Sequence, residues 1–158
     1  MAITRGIPDG FHTITPHLIC KDAPKAIDFY KRAFDATELS RTTGPNGTIM
    51  NAQVRIGDSI FMLMEENLEW EARSPQSLNG TPVSIHLYVE DADKTFGRAI
   101  AAGASVKCAI DDMFWGDRYG TLADPFGHSW NVATRVKDLT DAEAKRASDE
   151  FFSKLQRA

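Results

Sequence analysis

What the chain has little of narrows its class first. It holds two cysteines, Cys20 and Cys108, 88 residues apart and with no CxxC pair, so neither a zinc ribbon nor a dithiol redox motif is written in it. Both thiols are expected to act as buried small hydrophobes in a reducing compartment, which makes a cytoplasmic protein. No apolar run approaches the roughly 20 residues of a membrane span. The start Met1-Ala-Ile-Thr-Arg5 lacks a signal peptide's apolar segment. Basic excess is missing too. Lys and Arg number 18 against 22 Asp and Glu, a net charge of −4 with no basic stripe, so neither nucleic acid nor an anionic membrane is an expected partner. No G-x-G-x-x-G opens a helix, and there is no P-loop, no G-x-S-x-G elbow and no HExxH. What is left is 158 residues at 42% hydrophobic content, enough for one domain, or for two small units that share a core.

A repeat points to the second arrangement. His17-Leu-Ile-Cys-Lys-Asp22-Ala-Pro-Lys25 returns 69 residues later as His86-Leu-Tyr-Val-Glu-Asp91-Ala-Asp-Lys94. After each Asp the apolar period changes from 2 to about 3.6, the change expected where a strand feeds a helix. Asp22 and Asp91 stand where N-caps belong, and Pro24 fits a first helical turn. Three strand-like runs follow each helix: 37–43, 48–56 and 59–65, then 105–110, 119–123 and 128–135. Gly44-Pro-Asn-Gly47, Gly57-Asp58 and Asp124-Pro-Phe-Gly127 serve as turns. Each half therefore reads βαβββ.

The expected fold is α+β: two βαβββ modules, over 13–66 and 82–136, forming a curved mixed sheet with a cleft. An N-terminal arm (1–12) precedes them and a C-terminal helix (139–158) follows. Thr140-Asp-Ala-Glu143 forms that helix's capping box, and Ala147, Phe151, Phe152 and Leu155 its apolar side. In each half one helix covers one sheet face and leaves the other open. Alternation then places Thr15 and His17 on the open face of the first strand, and Ser84 and His86 on that of the fifth. Phe61 and Trp130, repeat mates, should turn inward as core.

These residues resemble the vicinal oxygen chelate superfamily, which includes glyoxalase I, extradiol dioxygenases and the fosfomycin and bleomycin resistance proteins. Thr13-Ile-Thr-Pro-His-Leu18, Phe114-Trp-Gly-Asp-Arg-Tyr-Gly120 and Asp124-Pro-Phe-Gly-His-Ser-Trp130 look like its PhnB-like subgroup, over 13 to about 138. The resemblance implies a glyoxalase-like domain of paired modules, usually a homodimer, and in the metal enzymes a divalent ion held by His and Glu on the inner strands. Counted onto this chain, those ligand positions are Thr15, Met62, Ser84 and Asn131. Two hydroxyls, a thioether and an amide bring no negative charge, so no metal and no other cofactor is expected. The alternative is a divalent metal on a shifted pair, His17 and His86, although the neighbouring inward positions Ile60, Met64, Ser129 and Ala133 add no carboxylate.

Two functions follow. One is a metal-free small-molecule cleft that binds or sequesters an aromatic or apolar ligand. Its expected lining is Thr15, His17, Met62, Met64, Ser84, His86 and Asn131, closed by Trp115, Arg118 and Tyr119. The other is a lyase, isomerase or dioxygenase-like enzyme with His17 or His86 as general base and Arg118 stabilising an oxyanion. Asp112 or Asp117 is the expected ion-pair partner of Arg118. His12 and His128 are expected outside the cleft, the latter in solvent.

Overall fold

A computed structural model describes residues 6–157, so residues 1–5 of the expected arm and Ala158 lie outside the described residues. Among the described residues eight strands form two four-stranded mixed sheets. The first holds β1 (His17–Cys20), β2 (Thr37–Thr43), β3 (Ile49–Ile56) and β4 (Ser59–Glu65) in the order β1-β4-β3-β2. A linker with the short helix α2 (Pro75–Leu78) leads to the second. There β5 (Ser84–Tyr88), β6 (Ser105–Asp112), β7 (Asp117–Ala123) and β8 (Ser129–Arg135) repeat the pattern as β5-β8-β7-β6. The repeat sets the register. β1 runs parallel to β4 with His17 opposite Met62, and β5 runs parallel to β8 with His86 opposite Asn131, each pair displaced by the same 69 residues.

Helices α1 (Ala23–Phe34) and α3 (Ala92–Ala102) follow β1 and β5. Each begins at the expected Asp: Asp22 Oδ1 accepts the Lys25 amide at 3.2 Å, and Asp91 Oδ1 the Lys94 amide at 3.0 Å. A second carrier at repeat-equivalent positions takes another first-turn amide, Glu65 from Ala23 and Thr134 from Ala92. α3 ends on Gly103 at φ +119°, where a glycine is the natural residue.

The two units share one core. α1 packs on α3, and Arg32 and Arg98 each donate to a carbonyl across that contact. Leu18, Cys20, Val54, Phe61 and Leu63 from the first sheet join Leu122, Trp130 and Val132 from the second in a single cluster with both helices. Trp130 is the wedge. Its ring, 1% exposed, lies 4.8 Å from Phe34 and 5.2 Å from Tyr30, both on the other unit's helix. Among the described residues α1 and α3 each cover one face of their own sheet, and the opposite face is directed away from this core.

Below Trp130 sits a buried carboxylate. Asp124 Oδ2 accepts the Tyr30 hydroxyl at 2.6 Å and the Trp130 indole N–H at 2.9 Å, while Oδ1 accepts the amides of Phe126 and His128. Burial, with Asp124 next in weight, raises the Tyr30 phenol well above its usual range, so its proton stays in place as donor. His128 is not the solvated residue expected. Its Nε2 lies 2.9 Å from the Ile19 carbonyl and ties the start of β8 to the outer edge of β1.

The cysteines part company. Cys20 is fully buried and its thiol is pushed up strongly by burial, whereas Cys108 lies exposed on β6, contrary to the expectation for it. Among the described residues no helix is long and apolar enough to cross a membrane. Helix α4 (Asp141–Leu155) carries the full capping box of Thr140 and Glu143.

Candidate functional site

The open face of the second sheet is built from alternate residues of three strands. β5 supplies Ser84, His86 and Tyr88; β8 supplies Ser129, Asn131 and Arg135; β7 supplies Asp117, Tyr119 and Thr121. Five of the expected site residues meet here: Ser84, His86, Trp115, Tyr119 and Asn131. The His86 ring lies 4.6 Å from Tyr88 and 5.9 Å from Tyr119, and Trp115 meets Tyr119 edge-on at 5.4 Å. The result is a wall of aromatic rings with polar groups between them. Thr121 Oγ1 bridges the Tyr119 hydroxyl (3.1 Å) and Asn131 Oδ1 (3.3 Å).

Sequence reasoning missed the group that holds this wall. Asp117 is 1% exposed, and its Oδ2 accepts both the Trp115 indole N–H and the Tyr88 hydroxyl at 3.1 Å. Arg135 Nε lies 2.8 Å from the other oxygen. Asp117 was expected only as a partner for Arg118. That arginine points the other way: Nε and Nη2 donate to Asp93 at the start of α3, and Nη1 to Asp112. The structure therefore separates Arg118 from Trp115 and Tyr119, placing it on the helix side of β7.

The corresponding face of the first sheet carries His17, Met62 and Met64, with Asn51 and Gln53 beside them on β3. Asn51 Nδ2 contacts Met62 Sδ at 3.7 Å, and its buried Oδ1 has no hydrogen-bond partner among the described residues. Thr15 precedes the strand instead of standing in it, and its hydroxyl donates to the His12 carbonyl at 3.3 Å. β1 and β5 are both edge strands, and between them runs a groove of about 510 Å³. His17, Ser84 and His86 line it with Pro16, Leu78 and Val83, so the structure does bring the repeat-equivalent histidines to one place. His128 lines the same groove, contrary to its expected position outside.

His17 is exposed at the start of β1, yet partial desolvation by its surroundings lowers its pKa below the usual imidazole value of about 6.5, so at pH 7 it is a neutral acceptor or base. Its sign is that of a depressed group. The stability it contributes is present above the unfolded value and falls away as the pH drops through the folded one. In an NMR titration the His17 resonance should therefore move at lower pH than that of an unstructured histidine; an equal or higher midpoint would contradict the desolvation.

These residues do not fit the divalent ion of the metal enzymes. Of the four counted positions, Ser84 Oγ is bonded to Ser129 at 2.9 Å, Asn131 Oδ1 takes Thr121, Met62 faces Asn51, and Thr15 stands off the strand. None carries charge to offset a cation. Among the described residues no group of three or more His, Cys, Asp or Glu side chains is placed to hold a metal ion.

The family model described as the Glyoxalase/Bleomycin resistance protein/Dioxygenase superfamily matches residues 10–132. The uncharacterized protein Rv0887c of Mycobacterium tuberculosis is 46% identical over 137 residues, 85% of this chain and 81% of that protein. Among solved structures, TioX from Micromonospora is similar at 27% identity and TM-score 0.61, covering 82% of this chain and all of that one. The PhnB protein from Bacillus cereus shares the fold at 20% identity and TM-score 0.57, over 78% of this chain and 99% of that one.

Proposed function

The chain belongs to the glyoxalase/bleomycin resistance protein/dioxygenase superfamily, and from that premise we propose that it binds or sequesters a small aromatic or apolar molecule without a metal ion. One observation carries the reading. The wall formed by His86, Tyr88, Trp115 and Tyr119 is locked by a buried carboxylate, while the positions that would grip a cation are neutral and engaged with neighbours. Flat rings in fixed geometry suit offset or edge-on contact with an aromatic ligand, and Thr121 and Asn131 supply polar anchors. The uncovered sheet faces and the two edge strands favour a homodimer, in which a second copy would close the wall into a cleft. Two unpaired thiols suit a reducing compartment, so a cytoplasmic location belongs to the same proposal. With no basic surplus, neither nucleic acid nor membrane is part of it.

A second reading is supported by His17. Being neutral at pH 7, it can take a proton, as a lyase, isomerase or dioxygenase-like mechanism requires, with His86 across the same groove. Arg118 is left out of this reading because Asp93 and Asp112 occupy it on the far face.

Metal analysis and a thermal-shift screen with aromatic antibiotics and small dicarbonyls separate the two. Protein purified without chelator should carry no stoichiometric ion and should have the mass of a dimer by light scattering. An aromatic probe at 100 times its Kd should stabilise it by about 2.7 kcal/mol. His86→Ala or Tyr119→Ala should abolish that gain, and no turnover should accompany it. A bound ion that disappears in His17→Ala or His86→Ala, or dicarbonyl turnover lost in either variant, would replace the binding role with catalysis.

A further inference from the structure

Seven rings form an unbroken series from the last helix to the wall. In α4, Phe151 and Phe152 touch each other at 5.4 Å, and both meet Phe114 in the β6–β7 loop, at 4.9 and 6.2 Å. Phe114 meets Trp115 edge-on at 5.1 Å, and the series continues through Tyr119 to His86 and Tyr88. The helix has little else to hold it: none of its residues is buried, and Phe152 stays 53% exposed. Beside the Phe114 contact a groove of about 460 Å³ separates α4 from Met113, Gly116 and Val136. The loop in turn is pinned at Gly116. Its carbonyl accepts the amides of Val136 and Lys137, and at φ +96° with the Lys137 carbonyl in the way no side chain fits there.

We propose that α4 positions the Trp115–Tyr119 end of the wall, with Phe151 and Phe152 as positioning residues that act through Phe114. Trp115 is only half-buried, and one hydrogen bond, to Asp117, fixes its indole N–H. The helix clamps the residue before it. Gly116 anchors the loop on the residue's other side. Because α4 rests on so few contacts, it is the element that opens at least cost, and its docking sets how firmly the wall is held. The consequence for ligand rests on the binding role proposed above, but the positioning itself is measurable with no ligand present.

The test uses the full chain in a Trp70→Phe background, which removes the exposed indole and leaves Trp115 as the quenchable one beside the enclosed Trp130. Acrylamide quenching should rise about twofold in the Phe151→Ala/Phe152→Ala double variant, and likewise in Phe114→Ala. It should stay at its starting value in Leu155→Ala, an exposed residue of the same helix that is not one of the seven rings. Phe151→Leu/Phe152→Leu, which keeps bulk, should restore most of the shielding, and amide exchange over 113–119 should follow the same order. Quenching that stays at its starting value in the double variant overturns the proposal, as does a rise there that Leu155→Ala matches. With an aromatic probe that stabilises the unmodified chain, the double variant should bind about threefold more weakly, because preorganisation is lost. If no probe binds, the ligand role fails while quenching still decides the positioning.

Discussion

Asp124→Ala should cost about 3–5 kcal/mol of folding stability, because it strands several buried donors at about 1–3 kcal/mol each. The carboxylate is 5% exposed and receives four donors, and each loses its partner at once. Tyr30 and Trp130 stand in the shared core and cannot turn to water, and an unsatisfied buried donor costs about 1–3 kcal/mol. The two amides come from the Asp-Pro-Phe-Gly turn and from His128 just after it, so the same substitution loosens the entry to β8 and the His128 contact with β1. Tyr30→Phe removes a single hydrogen bond to a charged acceptor and should cost about 1.5–3 kcal/mol. The apolar core stays shared between the two units, so both should still unfold in one transition with an unchanged denaturant slope. Urea denaturation followed by circular dichroism measures this. A loss below about 1 kcal/mol would mean that surrounding packing, not the carboxylate, holds the units together.

The sequence shows the turn that contains Asp124 but not this role, since its bond to Tyr30 spans 94 residues. What a repeat and an alternating pattern can encode was legible. The caps Asp22 and Asp91, the turns, the 69-residue offset and the buried pair Phe61 and Trp130 all follow from local spacing. The site was legible as far as that same alternation was applied. His17 and Met62, and His86 and Asn131, stand opposite one another as the offset requires. The misplacement of Arg118 has a local cause. The expected strand began at Tyr119, whereas β7 begins at Asp117, so Arg118 is a strand residue and points opposite to its neighbours. With β7 started two residues earlier, the same period of 2 puts Asp117 beside Tyr119 and Thr121 on the wall. Thr15 is the converse case. The strand begins at His17, and Pro16 gives β4 a carbonyl bond without extending the ladder backwards. The ring series through Phe114 links three elements far apart in the chain, and no local pattern announces such a contact.

Asp117→Ala is the substitution that should disturb the wall most, at about 1.5–3 kcal/mol of stability. The carboxylate is almost completely enclosed, yet its partners are not: Tyr88 is largely exposed and Arg135 is 46% exposed at its side chain. The Tyr88 hydroxyl can recover its hydrogen bond from water and the Arg135 charge can be hydrated, which is why the expected loss is smaller than at Asp124. Geometry should suffer more than stability. With no acceptor between them, the Trp115 indole and the Tyr88 phenol are no longer held to one point, and near-ultraviolet circular dichroism should lose intensity while the far-ultraviolet spectrum is kept. Asp117→Asn retains one carbonyl oxygen but no charge for Arg135, so it should fall between the unmodified chain and the alanine variant in both measurements. Arg118→Ala is the control on the opposite face. It releases Asp93 and Asp112 and should leave the aromatic signal intact. Were Arg118→Ala to remove that signal and Asp117→Ala to preserve it, the wall would be held from the helix side of β7. The carboxylate would then be a bystander to the rings that touch it.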